Sequence, residues 1–338
     1  MSSCLPLLVF QHRNHVNNGD DDQMLMFSIS QMTLRTNMEP DLVANKNMCW
    51  TTPQGWMLVV SPSPSSATTA WLWNPRTKEK IALPDFEEEH DIPPGSKCLL
   101  THRDATHPEC LVVLFEYKEP NMWCCKVGGG DGDGGVHGGG WCCYTYDIGD
   151  YEVPGGEPPT KDLISSVAAV QGEIFFISSA EDMCAINFSS STDHQPEFQY
   201  FDACMVDFPE GMNSGCSWLV EHDDELYLAC VIFVGFDADN IGAIHVYKMD
   251  FSTEAWCSVR DIGDAVFLLE GGGNMGASCQ ASPLGLKGNQ IYFMKNFNAD
   301  DADLCVFDIE SEQQEITRVH HHEHLNLCRK PFWILPPS

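Results

Sequence analysis

The densest set of potential metal ligands in the chain is His320-His321-His322-Glu323-His324. His-rich tracts can hold transition metals. A zinc centre, however, needs ligands that converge, each ring fixed by an outer hydrogen-bond partner. Consecutive strand residues diverge, and the H-E-x-x-H spacing does not occur. The tract therefore predicts no specific metal site. A second candidate is the segment 128–140, which reads GGGDGDGGVHGGG. Gly130, Gly132 and Gly135 satisfy G-x-G-x-x-G, a spacing that cradles phosphate only between a strand and a helix. Here the flanks are Trp123-Cys124-Cys125 and Trp141-Cys142-Cys143, both strand-like. Asp131 and Asp133 are placed like calcium-loop ligands, but no bidentate Glu follows where that loop requires one. The segment 128–140 is expected to be a disordered hairpin connector, because Gly-rich chain loses the most entropy on ordering. No G-x-S-x-G elbow is present, and no spacing singles out a Ser-His-Asp set. Asn187-Phe188-Ser189 is a formal glycosylation sequon, without use in a cytosolic chain. The sequence thus assigns no catalytic, cofactor-binding or metal-ligating residue and predicts no cofactor. Partner-binding residues are not identified either.

The elements that would position any site must come from a 338-residue chain, long enough to bury a sizeable core. Its 18 Lys and Arg against 49 Asp and Glu give a formal charge of −31. Such a surface repels phosphate, so neither nucleic acid nor an anionic membrane is an expected partner. The acids fall in short clusters at 20–22, 87–89, 223–224 and 300–301. Solvated loops explain them most simply, and a basic partner surface is the sharper alternative. No apolar run reaches the roughly 18 residues of a membrane helix. The run 5–10 is too short for a signal-peptide core and follows no basic residue. The cytosol or nucleus is the expected location. The 16 cysteines sit mostly in apolar strand-like runs, without any C-x-x-C pair, and are expected to stay thiols. Cys124-Cys125 and Cys142-Cys143 are adjacent pairs whose side chains should point to opposite faces.

Almost no segment has apolar residues at helical spacing. Short runs rich in β-branched and aromatic residues recur instead, at 56–60, 70–73, 110–115, 173–177, 225–234, 243–249 and 290–294. They form a repeating unit of turn, apolar strand, loop, second strand and polar turn. Gln54-Gly55-Trp56 leads to Trp71-Leu72-Trp73, Gln171-Gly172-Glu173 to Cys184-Ala185-Ile186, Asp223-Asp224-Glu225 to Val246-Tyr247-Lys248, and Gly288-Asn289-Gln290 to Val306-Phe307-Asp308. A less regular copy begins at Pro108-Glu109-Cys110 and is read as reaching the 141–146 strand. Turn positions 55, 109, 172, 224 and 288 are 54, 63, 52 and 64 residues apart, somewhat more than the roughly 40–50 residues of a propeller blade. A single blade cannot cover both its faces, and a ring of blades can. The expected fold is all-β: one β-propeller domain over 1–338, with four-stranded blades numbering about six, five or seven being the alternatives. Phe332-Trp333-Ile334-Leu335 is a late strand without a repeat of its own, and is predicted to complete the N-terminal blade. Met249-Asp250-Phe251, a polar turn and Trp256-Cys257-Ser258-Val259 read as a hairpin. Trp256 is expected to pack within a blade, with an exposed partner anchor as the alternative.

The order of several segments resembles one plant family. Ile244-His245-Val246-Tyr247-Lys248-Met249-Asp250-Phe251, then Trp256-Cys257-Ser258-Val259, then Asp261-Ile262-Gly263-Asp264, carry the likeness. Leu286-Lys287-Gly288-Asn289-Gln290-Ile291-Tyr292-Phe293, Trp73-Asn74-Pro75-Arg76 and Leu83-Pro84 extend it to most of 50–310. The chain resembles the KIB-type β-propeller family, also called domain of unknown function 295. That resemblance implies a protein-binding propeller, like the substrate-binding half of plant F-box proteins, and no catalytic residues. Residues 1–50 show no amphipathic helical run of the F-box kind, so docking to a ubiquitin-ligase adaptor is not expected. The leading expectation is a non-enzymatic interaction module whose unidentified protein partner meets loops at one rim. A carboxylate-dependent hydrolase on the same scaffold, or a degenerate family member without a defined role, is the alternative.

Overall fold

The computed structural model describes residues 5–13, 22–35, 47–61, 68–86, 92–93, 95–128, 140–151, 158–178, 182–189, 195–201, 206, 209–212, 214–271, 275–295, 303–319, 327 and 330–337. Most of the 128–140 connector and the whole 320–324 histidine tract lie outside these residues. Strands dominate. In chain order they are β1 (Leu7–Arg13), β2 (Asp22–Ser28) and β3 (Thr33–Arg35); β4 (Met48–Thr51), β5 (Met57–Ser61), β6 (Thr68–Trp73) and β7 (Lys80–Phe86); β8 (Lys97–Leu100), β9 (Leu111–Phe115), β10 (Asn121–Lys126) and β11 (Cys142–Thr145). A short pair β12 (Asp150–Tyr151) and β13 (Thr160–Lys161) follows. Then come β14 (Ile164–Val170), β15 (Glu173–Ser178), β16 (Met183–Phe188) and β17 (Pro196–Tyr200); β18 (Ser214–His222), β19 (Glu225–Phe233), β20 (Ile241–Asp250) and β21 (Ala255–Val259). Last are β22 (Ala265–Leu269), β23 (Gly276–Gln280), β24 (Gln290–Met294), β25 (Asp303–Asp308), β26 (Gln313–Arg318) and β27 (Phe332–Ile334).

Five sheets have four strands, in the orders β27-β1-β2-β3, β4-β5-β6-β7, β11-β10-β9-β8, β14-β15-β16-β17 and β18-β19-β20-β21; the sixth has five, β23-β22-β24-β25-β26. These are the blades of an all-β, six-bladed propeller. The predicted C-terminal strand is present: Leu7, Leu8 and Val9 pair with Ile334, Trp333 and Phe332.

Burial follows strand position. Every residue of β9 and β22 is buried, whereas β21 and β26 are mostly exposed. A sheet with apolar side chains on both faces is stable only when both faces are covered, which explains why these runs do not alternate. The turn markers have a backbone reason. Val170 pairs with Glu173 across Gln171 and Gly172, and both turn residues have positive φ (50° and 97°). His222 pairs with Glu225 across Asp223 and Asp224, again both positive (49° and 62°). Two-residue hairpins of this kind match the right-handed twist of their strands.

Two expectations need correction. The less regular copy does not run directly from β9 to the 141–146 strand: β9 pairs with β10, which holds the strand-like Trp123-Cys124-Cys125, and the 141–146 strand lies one place further out as β11. The blade after Ile262 also departs from a simple four-stranded meander. β22 is antiparallel to β23 but parallel to β24. A 3₁₀ turn, Ser282–Leu284, carries the chain across. Asp264 fixes it, its carboxylate accepting from the Ser282 N–H at 3.2 Å and hydroxyl at 2.7 Å.

The chain forms two compact units, one of Met1–Glu39 with Val206–Pro336 and one of Pro40–Met205 with Pro337–Ser338. In the second, Trp50, Leu58 and Leu72 pack with Leu100, Val112 and Leu114 in one apolar cluster. Each such fully buried side chain contributes about 1.5–3 kcal/mol. Trp141 closes that cluster, stacking on Phe86 at 4.0 Å and donating its indole N–H to Pro84 O at 2.9 Å. In the first, Trp218 and Val231 pack with Phe267 and Phe293, while Leu8, Phe27 and Trp333 join Val266, Tyr292 and Leu304.

Candidate functional site

Two surface loops bring chemistry-bearing side chains together, one in each unit. In the second unit the chain between β8 and β9 folds back on itself. Thr101 N–H donates to Leu111 O, and Leu111 N–H to Thr101 Oγ1. Asp104 accepts from the Thr106 N–H and hydroxyl at 2.8 and 2.7 Å, which holds its carboxyl below the usual range. This brace stacks His102 on His107, ring centroids 3.9 Å apart and 12° from parallel. Burial, then the neighbouring His107, lower the His102 pKa below its ordinary value.

Donor atoms of His102, His107 and Glu109 lie within 4.8 Å of one another. A cation bound by an imidazole lies in the plane of its ring, along the nitrogen lone pair. Two nearly parallel planes 3.9 Å apart share no such point. The His107 Nδ1 also accepts from the Glu109 N–H at 3.2 Å, and the His102 Nδ1 is paired with Thr101 Oγ1 at 3.0 Å. In this arrangement the three groups form a stacked, hydrogen-bonded turn and not a chelate. The sequence reading did not single out His102, His107 or Glu109; the pattern Thr101-His102-Arg103-Asp104-Ala105-Thr106-His107 between two strand runs was the available signal.

In the first unit the loop between β19 and β20 carries Phe236, 86% exposed. The loop is built rather than loose. Val234 N–H donates to Asn240 O at 2.9 Å and Asn240 N–H to Asp237 O at 3.0 Å. Asp237 Oδ1 accepts from the Asp239 N–H at 3.1 Å, and the Ser214 hydroxyl donates to Gly235 O at 2.6 Å. An aromatic ring thus stands in water on a loop that also carries Asp237 and Asp239, next to a half-exposed Val234. The sequence showed an aromatic residue after glycine in an acidic connector, but periodicity alone cannot say which loop aromatics fold inward.

Trp256 is half-buried, with its indole N–H sequestered from solvent. Asn187 donates to Glu173 Oε1 at 2.8 Å across the β15–β16 pair. Cys124 and Cys125 are both buried on successive positions of β10, and only Cys125 joins the cluster with Trp123; adjacent cysteines do face opposite ways. No helix among the described residues is long and apolar enough to cross a membrane.

Six blades of this kind define a β-propeller. The chain belongs to the KIB1-4 beta-propeller family, whose pattern it matches over residues 26–308. No curated protein matches it. Among solved structures, a protein from Lactobacillus plantarum is similar with a TM-score of 0.47 at 13% identity, covering 97% of this chain and 99% of its own. TolB from Acinetobacter baumannii gives 0.41 at 10% identity, over 98% of this chain and 67% of TolB. A functionally unknown protein from Desulfotomaculum acetoxidans gives 0.40 at 10% identity, over 97% and 89%.

Proposed function

We propose that this chain is a non-enzymatic protein-interaction propeller of the plant cytosol or nucleus, and that the β19–β20 loop presents Phe236 to a partner with a basic, apolar surface. The observation that carries this reading is a ring 86% exposed on a hydrogen-bonded loop. Aromatic residues dominate the energetics of protein interfaces, and a braced loop loses little entropy on binding. Asp237 and Asp239 beside the ring, on a chain of formal charge −31, favour a basic partner. Likeness to the substrate-binding half of plant F-box proteins supports the same role.

The test is affinity capture from plant extract with folded protein, quantified by mass spectrometry, beside Phe236→Ala. Partners specific to the wild type should fall at least about tenfold in the variant, as for an interface anchor. Equal recovery by both proteins would remove Phe236 from the interface. No reproducible partner for either would end the binding role itself.

A further inference from the structure

The register of the blade built from β8 to β11 sets two cysteines opposite each other. Cys124 of β10 pairs with Cys142 of β11, and directly opposed residues of antiparallel strands project from the same face. The spacing class follows from the ladder. Tyr146 N–H donates to Pro120 O, which makes 120 and 146 a hydrogen-bonded pair. Counting by twos, 124 and 142 are of the same class, with Cα atoms about 5.5 Å apart. That lies inside the roughly 4.4–6.8 Å over which two cysteines can be bridged. Among the cysteines of β10 and β11 no other pair is in direct register: Cys143 faces Trp123.

We propose that Cys124 and Cys142 are a reversible disulfide pair, oxidised by a peroxide and opened by cellular thiols. Both are free thiols in this structure, Cys124 buried and Cys142 partly exposed. Cys142 therefore meets the oxidant first. Its thiolate sulfur attacks the peroxide O–O bond, giving a sulfenic acid and releasing water. The Cys124 sulfur then displaces hydroxide from the sulfenic sulfur, which leaves as a second water with the thiol proton. Two thiol hydrogens are lost, and the peroxide is reduced to two waters. Burial raises the Cys124 thiol to about 12, with Cys142 and Cys143 adding to the effect, so the second step is the slow one. Cys142 is partly exposed, so cellular thiols can reach the bridge and reduce it. It would tie together the two ends of the connector between β10 and β11, turning that segment into a covalent loop. Cys98 and Cys125, whose thiols burial also pushes up, lie in the core and stay reduced.

Wild-type protein is treated with hydrogen peroxide, denatured, alkylated and mapped as peptides. The expected product is a linked pair of peptides carrying Cys124 and Cys142, lighter by about 2 Da than the two thiol peptides. Dithiothreitol or glutathione should restore both alkylation sites. Cys142→Ser should abolish the linked species, while Cys257→Ser, at an exposed cysteine far along the chain, should leave it intact. Far-UV circular dichroism identifies any variant that fails to fold, and the wild-type map stands without the variants. Peroxide that modifies Cys143 or Cys257 while Cys124 and Cys142 remain free thiols overturns the proposal, as does a link joining Cys142 to any other cysteine.

Discussion

Two joints between consecutive blades solve one problem by different means. In the second unit, β14 is the first strand of its sheet, with no strand beyond it among the described residues. Lys97 reaches across from β8 and donates its ammonium to Ile164 O, at 2.8 Å, and to Ser165 O. A 6%-exposed lysine thus satisfies carbonyls along that strand's edge. In the first unit, the corresponding edge of β22 is covered by an additional strand, β23. That strand presses on β18 so closely that a Cβ on Gly276 would stand 2.6 Å from both Leu219 O and the Val220 side chain. Ser278 and His222 complete the seam: the serine hydroxyl donates to Glu221 O at 2.6 Å and is bonded by His222 Nδ1 at 3.0 Å. One joint is thus a charged side chain filling an edge, the other backbone packed on backbone.

The difference is open to test. Gly276→Ala should be the most damaging change, about 3 kcal/mol, because the obstructing atoms include a backbone carbonyl that cannot rotate away. Denaturant unfolding measures it, and a loss under about 1 kcal/mol would mean β23 is not held rigidly on β18. Lys97→Met keeps the stem but removes the donor. It should cost about 2 kcal/mol by leaving buried carbonyls unsatisfied. A neutral result would show that water replaces the ammonium.

A third change probes the seam beside Lys97, where Gly172 N–H donates to Thr101 O at 3.1 Å. A Cβ there would lie 2.9 Å from the His102 ring, on a backbone with φ of 97°. Gly172→Ala should cost about 2 kcal/mol, and about 1 kcal/mol in a His102→Ala background, the remainder being backbone strain. Equal losses in the two backgrounds would refute the contact. The smallest effect concerns acid. His102 titrates below its ordinary value, so the folded protein binds this proton less readily than the unfolded chain. Its contribution is intact above the ordinary histidine range and is lost as pH falls through it. Stability measured from pH 7 to 5 should fall less in His102→Gln than in wild type. Parallel curves would remove His102 from the titration.

These joints mark the limit of what the sequence discloses. Hairpins such as 171–172 and 223–224 were legible because a polar pair between apolar runs demands positive φ at both positions. The late strand 332–335 was legible because an apolar run without a repeat must pair somewhere. β23 was not: Gly276-Ala277-Ser278-Cys279-Gln280 has small and polar residues and no β-branched side chain. What makes it a strand is its neighbours, and its parallel partner depends on a turn fixed by Asp264 from eighteen positions earlier. Lys97, His102, His107 and the Cys124–Cys142 register share this character. Each acquires meaning only when a strand from elsewhere in the chain arrives beside it. Phe236 is intermediate, visible as a loop aromatic but not as an exposed one.

The pairing of β1 with β27 has a consequence for biosynthesis. The ribosome makes Leu7 to Val9 before Phe332 to Ile334, with residues 10–331 added in between. At about 5–20 residues per second, the opening sheet waits on the order of half a minute for its fourth member. Through that interval a nascent strand rich in leucine and phenylalanine offers an unfilled hydrogen-bonding edge, and it is there that chaperones have the most to protect.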